Sequence, residues 1–327
     1  MGAGEMTQKI KSAQRASETL APSVNPRHGA GRRRMLTVLS SIWEGGSGRF
    51  SIIVLCCWML VAVLSLVWTP RSLWETDGFH VWQSPSWAHL LGTDGSGADI
   101  MSWLMAGSAT ELGIVALTVL LTATLGCLFV LSMLSSHLML AHASVVIIDA
   151  LISLPTVLLA LILAVPLGPS VMVIVVACSF GYSLNLARVV RPQALLVARS
   201  EFVESSLSSG AGSFRVFRTH IVPNILPMLL VQLSMCAGTV ILAEAGLTYL
   251  GIGVPSGVAS WGHSLTTSVR FINVYPLAVV WPGLVVTVVV VALNLFGDAL
   301  RDAVDPLTNP RLRKHQTQVS STVGRRS

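Results

Sequence analysis

The stretch EFVESSLSSGAGSFRVFRTHIVP, residues 201–223, is polar and carries two arginines, whereas the sequence on both sides of it is strongly apolar. Its own apolar residues recur three or four positions apart on either side of a glycine pair, which is helical spacing. They are Val203, Leu207, Phe214, Phe217 and Ile221. Gly210 and Gly212 interrupt the pattern, as turn glycines do. The stretch therefore predicts two short amphipathic helices, joined by a turn and exposed to water beside a membrane.

The composition is that of a membrane protein. Hydrophobic residues make up 53% of the 327-residue chain and charged residues only 11%, whereas soluble domains carry about 25% charged residues. Six apolar runs approach the ~20 residues that a helix needs to cross the hydrocarbon layer. They lie at 50–68, 112–134, 143–165, 171–190, 225–243 and 274–296. We therefore expect an all-α, polytopic membrane protein with six transmembrane helices.

Lysine and arginine set the expected orientation. Placing both termini in the cytoplasm puts nineteen of the twenty-one basic side chains on the inner side, as the positive-inside rule requires. The segment between the first two runs is acidic and is therefore expected outside. Its acidic residues are Glu75, Asp77, Asp94, Asp99 and Glu111. Residues 201–223 are expected on the cytoplasmic side.

The chain divides by composition into four parts. Residues 1–49 are basic and rich in Ser, Gly and Pro, which predicts a disordered cytoplasmic tail. Residues 50–111 hold the first helix and the external segment, 112–306 hold the core, and 307–327 form a second cytoplasmic tail. Basic tails suit a surface of anionic lipid, so no nucleic-acid partner is expected. The five cysteines lie in apolar runs without metal-ligand spacing and are expected to act as small hydrophobic residues.

A pattern within 201–223 resembles the coupling loop of ABC importer permeases. That loop has the form Glu-Ala-Ala, then a glycine, then Ile-Leu-Pro, and the matching residues here are Glu204-Ser205-Ser206, Gly210 and Ile221-Val222-Pro223. In the family, the loop docks into a cleft of a separate ATPase subunit. The resemblance implies an ATPase-coupling role for a set of residues in this stretch. They are Val203, Glu204, Ser205, Ser206, Leu207, Gly210, Ala211, Phe214, Arg215, Phe217, Ile221 and Pro223.

Three further stretches resemble signatures of the oligopeptide, dipeptide and nickel permeases, and they follow in the family's order. They lie at 89–99, 246–262 and 296–306. Ala98 stands where the first signature usually has arginine. In the position of that signature, the chain resembles the C-type rather than the B-type of the family's two paired permeases.

This resemblance implies a type I ABC importer permease fold in a bacterial inner membrane. The chain would form a translocation pathway with a paired B-type permease, and would assemble with two ABC ATPase subunits and an external solute-binding protein. ATP and Mg²⁺ would be bound by the ATPase subunits, while this chain would carry no cofactor and no catalytic residue. None of its lysines follows a glycine-rich turn of the kind that holds nucleotide phosphates. We therefore expect a transport subunit without an ATPase site of its own.

Two acidic residues fall at membrane depth, Asp149 in the third run and Glu244 at the end of the fifth. An ionised carboxylate there costs about 2.5–3.5 kcal/mol on insertion scales, so each should face protein or water. Two roles remain open for both: a pathway or gating residue, or a buried group bonded to a neighbouring helix.

No metal site is predicted, because His137 and His142 are five positions apart and do not share a helical face. The substrate class stays open among peptides, nickel and other small solutes, with peptides preferred. Two other functions remain as alternatives. One is an ion-gradient-driven secondary transporter, which needs no ATPase, and the other is a membrane-anchored interaction protein whose segment 201–223 binds a different partner.

Overall fold

The computed structural model describes residues 40–135 and 137–304. This part of the chain contains helices and one isolated β-bridge between Thr93 and Asp99. The helices are α1 Gly46–Ser65, α2 Ile100–Met133, α3 Leu138–Ile152, α4 Thr156–Leu167, α5 Val171–Ala198, α6 Glu201–Ser208, α7 Ser213–Val216, α8 Val222–Tyr249, α9 Trp261–Arg270 and α10 Leu277–Val304. A π-helical turn, Phe217–Ile221, joins α7 to α8. Of the two expected tails, residues 1–39 and 307–327 lie outside the described residues.

Five helices of the described chain are long and apolar enough to cross a membrane. They are α1, α2, α5, the continuous run Ser213–Tyr249 and α10. A sixth crossing is available if α3 and α4, which meet at an angle of 83°, act together as one broken span. The expectation of an all-α membrane protein is confirmed, and the number of crossings depends on this bent pair.

The second helix begins earlier than its apolar run suggests, because a polar cap sets its start. Asp99 precedes α2, and its carboxylate accepts a hydrogen bond from the Ser102 N–H at 2.8 Å. Such capping satisfies a backbone donor at the open end of the helix. The helix therefore includes Glu111, which the sequence pattern placed before the second span. The expected boundary between 111 and 112 falls inside α2.

The direction of α5 relative to α2 decides the topology. The Ser179 hydroxyl donates to the Thr118 carbonyl at 3.3 Å. Farther along both helices, Leu186 lies against Gly126, where an added Cβ would come within 2.6 Å of the leucine Cδ2. Residue numbers rise together along the contact, so the two helices are parallel. A chain that leaves one end of α2 and enters α5 at the opposite end must run the length of the contact between them, and α3 and α4 form that connection.

The bend between α3 and α4 follows from Pro155. Proline has no N–H and disfavours the helical conformation in the residue before it. Accordingly, α3 ends at Ile152 and α4 begins at Thr156. The third apolar run is therefore two helices rather than one straight span.

Small residues bring α8 and α10 together. Gly238 of α8 faces Asn294 of α10, and Gly297 of α10 faces Ser234 of α8. Residue numbers run in opposite directions along this contact, so the two helices are antiparallel. Small side chains allow the close approach on which helix association in lipid depends, because lipid supplies no hydrophobic drive between helices.

The bundle has two different ends. One carries the segment 66–99 together with α9 and is called here the wide-loop end, and the other carries α6 and is called the short-helix end. At the wide-loop end, the buried Trp261 of α9 donates its Nε1–H to the Leu104 carbonyl at 3.0 Å. Its ring also packs on Trp58, with 5.7 Å between ring centroids. These contacts join α9 to α1 and α2.

Cysteine labelling tests whether the bent pair crosses the membrane. His137 precedes α3 at the short-helix end and Pro169 follows α4 at the wide-loop end, and both are exposed. In a chain without native cysteines, we expect His137→Cys and Pro169→Cys to react with a membrane-impermeant thiol reagent from opposite sides. Ser213→Cys should share the side of the first and Ser84→Cys the side of the second. Labelling of both His137→Cys and Pro169→Cys from one side would make the bent pair a re-entrant loop.

Gly262, at the start of α9, allows this helix to lie against α8. A Cβ there would come within 2.7 Å of Glu244 Oε2 and 2.8 Å of the Ala245 Cα. We expect Gly262→Ala to lower the free energy of unfolding by about 1–3 kcal/mol, the usual cost of overpacking, measured by thermal unfolding in detergent. Gly246→Ala is the matched control, because no atom lies within 4 Å of a Cβ there and alanine favours the helix. Equal losses in both variants would contradict the packing argument.

Candidate functional site

At the short-helix end, α6 is an eight-residue helix that ends in a tight glycine turn. Gly210 has a φ of +83°, the left-handed region. Its N–H bonds to the Leu207 carbonyl at 2.9 Å, and the Ala211 N–H bonds to the Ser206 carbonyl at 3.2 Å. This is the Schellman pattern, which satisfies the last helical carbonyls and favours glycine at the left-handed position. The predicted glycine turn is present where the sequence placed it.

The prediction of a separate second short helix is wrong. α7 continues through the π turn into α8, so that Ser213–Tyr249 is one continuous helix long enough to cross the membrane. Pro223 accounts for the irregular turn, because it has no N–H with which to bond the carbonyl one turn earlier. Phe217 and Ile221 therefore belong to the beginning of a membrane-spanning helix.

The predicted coupling residues divide into a buried set and an exposed set. Val203, Phe217 and Ile221 are buried. Phe217 and Ile221 pack in one cluster with Val130 of α2 and Val190 of α5, and Val203 lines a cavity of about 510 Å³ between α6 and the ends of its neighbours. These three side chains fix the segment to its own chain.

Three large apolar side chains stay exposed, and two of them, Leu207 and Phe214, line the open cavity that Val203 also lines. Leu207 and Phe214 expose 46% and 62% of their surface, and Phe202, which the sequence pattern missed, exposes 49%. The remaining predicted residues are exposed or half-buried, namely Glu204, Ser205, Ser206, Gly210, Ala211, Arg215 and Pro223. The signal for Phe202 was its place beside the buried Val203, because neighbouring side chains of a helix point about 100° apart. We call the set Phe202, Glu204, Leu207, Phe214 and Arg215 the outward face.

Asp149 has a partner that the sequence analysis did not name. It lies on the last turn of α3, and its Oδ1 is 3.8 Å from Nε of Arg188 on α5. Both side chains remain about half exposed in the single chain, so the pair contributes little to stability. The sequence feature that could have revealed this pair is Arg188, a charged residue inside an otherwise apolar run.

A groove of about 260 Å³ runs between α5 and α8, and it is called here the polar groove after the five polar side chains in its otherwise apolar lining. The polar side chains that line it are Thr122, Tyr182, Asn185, Gln232 and Thr239. They are hydroxyl and amide groups, which donate and accept hydrogen bonds without a formal charge. Polar side chains at membrane depth face protein or a water-filled path. These residues come from three helices, α2, α5 and α8, so sequence spacing did not reveal that they share one groove.

The signature stretch 89–99 builds a scaffold at the wide-loop end. Asp99 is buried, caps α2 through Ser102 and lies 3.0 Å from His89 Nδ1. Asp94 Oδ1 accepts a hydrogen bond from the Ala98 N–H at 2.9 Å. Ala98, which stands in place of the family's arginine, is buried within this turn. The stretch therefore fixes the start of α2 and the path of the preceding loop.

Next to this scaffold lies a cavity of about 330 Å³. Its walls include Trp82, Trp103 and Phe271, with Asp94 and His263 as its ionisable groups. Burial lowers the pKa of His263 from its ordinary value, and Asp94 opposes this shift only in part, so the imidazole is neutral at pH 7. A carboxylate among aromatic rings suits an ammonium group.

Glu244 and Glu111 are both completely buried, with 0% of their surface exposed. Glu244 belongs to α8 and Glu111 to α2. The Thr248 hydroxyl donates to Glu244 Oε1 at 2.8 Å. Neither glutamate lines the groove or the two cavities described above. Only Glu244 of this pair stood out in the sequence as a residue at membrane depth, because Glu111 precedes the second apolar run.

The two histidines considered as metal ligands are not grouped with other metal-binding side chains in the described residues. His137 precedes α3 and His142 lies within it. In the part of the chain that the structure describes, no group of three or more His, Cys, Asp or Glu side chains is arranged to hold a metal ion.

Known proteins resemble this chain over most of its length. Residues 124–310 match the family described as "Binding-protein-dependent transport system inner membrane component". The chain is 35% identical over 268 residues to the nickel transport system permease protein of Escherichia coli (strain K12), covering 82% of this chain and 96% of that protein. It is 32% identical over 255 residues to a putative peptide transport system permease protein of Brucella suis biovar 1 (strain 1330), covering 76% and 85%. It is 31% identical over 264 residues to the dipeptide transport system permease protein of Alkalihalophilus pseudofirmus, covering 78% and 84%.

The family match takes in the last part of α2, from residue 124 onward, and every later helix of the described chain, and it agrees with the all-α membrane architecture. The family match covers more than half of the chain, and the first relative is covered almost from end to end. The chain therefore belongs to the binding-protein-dependent transport system inner membrane components, the permease subunits of ABC importers.

Proposed function

We propose that this chain is the permease subunit of an ATP-driven importer of peptides. A paired permease completes the translocation pathway, two separate ATPase subunits drive it, and an external solute-binding protein delivers the ligand. The observation that carries the proposal is the outward face, which holds three large apolar side chains in water at the short-helix end. Such a surface fits the cleft of a partner protein.

The proposed coupling is mechanical. Val203 anchors α6 beside its neighbours, while Phe217 and Ile221 lie at the beginning of α8. Because the π turn connects these residues to α8 without a break, a force applied to the outward face reaches a helix that lines the polar groove. ATP and Mg²⁺ bind to the ATPase subunits, whose closure would shift this segment and switch the pathway between inward-open and outward-open states.

The polar groove between α5 and α8 is the proposed share of this chain in the pathway. Its open side would face the paired permease, since polar groups at membrane depth need protein or water beside them. Asp149 and Arg188 form a weak, half-exposed pair that can break and form again between states. We assign them a gating role in the same pathway.

The short-helix end and both termini are proposed to face the cytoplasm. This orientation keeps the basic residues inside and presents the outward face to the compartment that holds ATP. The wide-loop end then faces the solute-binding protein.

Peptides are the substrate class that the groove favours. Tyr182, Asn185 and Gln232 supply uncharged donors and acceptors, which match the amide groups of a peptide chain. At the wide-loop end, Asp94 among aromatic rings suits a peptide's terminal ammonium group. Nickel, named for one relative, prefers imidazole, carboxylate or thiolate ligands and serves as the competing substrate in the test below.

Substitutions at the α6 turn test the coupling. Proline holds φ near −65° and has no N–H, whereas Gly210 has a φ of +83° and donates to Leu207. We expect Gly210→Pro to insert normally, yet to lose uptake and ligand-stimulated ATP hydrolysis in the assembled complex. Glu204→Arg reverses a charge on the outward face and should do the same. Disrupted docking contacts cost about 2 kcal/mol or more, enough for a tenfold or larger loss.

Two controls separate coupling from folding. Gly210→Asn introduces a residue that tolerates the left-handed region. Gly212→Ala changes a glycine that has a φ of −65° and open space where a Cβ would be added. Both should retain most uptake. The purified chain alone should hydrolyse no ATP above background. Uptake at the wild-type level in both Gly210→Pro and Glu204→Arg would make 201–223 an ordinary loop.

Gln232→Leu tests the groove and the substrate class together. Loss of one hydrogen-bonding side chain costs about 1–1.5 kcal/mol, so we expect peptide uptake to fall about tenfold while the complex still assembles. Thr124→Val is the matched control, because Thr124 is exposed on α2 outside the groove. Competition between labelled dipeptide, longer peptides and nickel in proteoliposomes identifies the substrate. Uptake of nickel without uptake of any peptide would replace the proposed substrate.

A further inference from the structure

Glu111 of α2 and Glu244 of α8 meet in the interior of the wide-loop end. Neither has any exposed surface, and their carboxyl groups lie within hydrogen-bonding reach of each other. Thr248 supplies one hydrogen bond, to Glu244 Oε1. Both oxygens of Glu111 and Oε2 of Glu244 have no hydrogen-bond donor in the described structure. The pair therefore holds three buried acceptor oxygens that receive no hydrogen bond.

The first turn of α9 lies over this pair. A Cβ at Gly262 would come within 2.7 Å of Glu244 Oε2, and the N–H groups of Trp261 and Gly262 approach Glu111 and Glu244 respectively. Neither oxygen of Glu111 receives a well-formed hydrogen bond from them. A helix N-terminus carries about half a unit of positive charge, which stabilises one carboxylate in part and does not neutralise two.

Other titratable groups do not supply the missing charge. On α9, the electrostatic partners of His263 are Asp94 and Arg270. From α1, the side chain that reaches this region is Trp58, which packs on Trp261. Among the salt bridges of residues 40–135 and 137–304, none includes either glutamate. Compensation must come from a ligand of the pair itself.

A single proton satisfies both the charge and the hydrogen-bonding requirements. Burial without a counter-ion disfavours a carboxylate, and a second carboxylate in contact disfavours it further. A proton between the two groups removes one negative charge and provides the O–H donor that the acceptors lack. The remaining charge is stabilised by the Thr248 hydroxyl and the start of α9. Two carboxyl groups coupled in this way bind and release protons as one unit.

We propose that Glu111 and Glu244 form a binding site for one proton, which joins α2 to α8 beneath the first turn of α9. The hydrogen ion comes from water when the chain folds and is held in an O–H···O bond between the carboxyl groups. The site is separate from the proposed pathway, because neither glutamate lines the groove. It is a property of the folded chain and does not depend on the substrate.

Infrared difference spectroscopy detects such a proton directly. In full-length protein reconstituted in nanodiscs at mildly alkaline pH, we expect the carbonyl stretch of a protonated carboxylic acid, shifted in D₂O. This band should be lost in Glu111→Gln and in Glu244→Gln. Glutamine keeps the shape of glutamate and donates to the remaining carboxylate, so each variant should fold. Glu204→Gln, which removes an exposed carboxyl, is the matched control and should leave the band unchanged.

The dependence of stability on pH gives a second readout. The folded chain holds a proton that exposed carboxyl groups of the unfolded chain release at neutral pH. Linkage then requires that stability falls as pH rises, from the pH at which the unfolded carboxyl groups release their protons to the pH at which the folded pair releases its own. We expect the Tm of the wild type to fall by several degrees toward strongly alkaline pH. Glu111→Gln carries a permanent donor and should lose less over the same range, whereas Glu204→Gln should follow the wild type.

Three results would overturn the proposal. The first is a carboxylic acid band that is unchanged in both Glu111→Gln and Glu244→Gln, and the second is an identical dependence of Tm on pH for wild type and Glu111→Gln. The third is stabilisation of the wild type alone by sodium or a divalent cation, which would assign a metal ion to the pair. If both glutamine variants fail to fold, the wild-type band and its disappearance at alkaline pH decide the question. Neither readout measures transport, so failure here is distinguishable from failure of the proposed function.

Discussion

The parallel packing of α2 against α5 is the contact on which the architecture depends. Ser179 bonds to the Thr118 carbonyl and Leu186 fills the space beside Gly126, and these contacts fix both the register and the direction of the two helices. Parallel neighbours require a connection that passes from one end of the bundle to the other, and the bent α3 and α4 form that connection. Every later helix inherits its direction from it, including α8 and its antiparallel partner α10.

The same arrangement explains how a short surface helix can influence the membrane interior. α6 is closed by a glycine turn at one end and held by the buried Val203, so it is positioned more firmly than an ordinary loop. Beyond the turn, the chain enters α8 without another break. Helices transmit displacement along their axes, because their backbone hydrogen bonds resist local change. In the proposed coupling, force on the outward face would therefore reach the polar groove through one continuous element.

Sequence reasoning succeeded where the physical cause is local. Hydrophobic length predicted the membrane-spanning helices, and Gly210 predicted the turn because only a few residues accept a left-handed backbone. It failed where the cause is contact between distant segments. The pairing of Asp149 with Arg188 and of Glu111 with Glu244 joins different helices, and no spacing along one chain encodes it. The second short helix was mispredicted because the polar pattern of 213–221 gave no sign that the helix continues through Pro223.

The groove between α5 and α8 is open along one side, so in the proposed assembly this chain contributes one half of a conduit whose other half is encoded by a different gene. The effect of a replacement at Gln232 is then a property of two sequences, and it need not equal the sum of separate changes in the two proteins, as is usual for residues that meet across an interface. One partner can compensate for a change in the other by altering the opposite wall. The two genes are therefore constrained to diverge together, and a permease moved alone into a related system would bring only half of a selectivity.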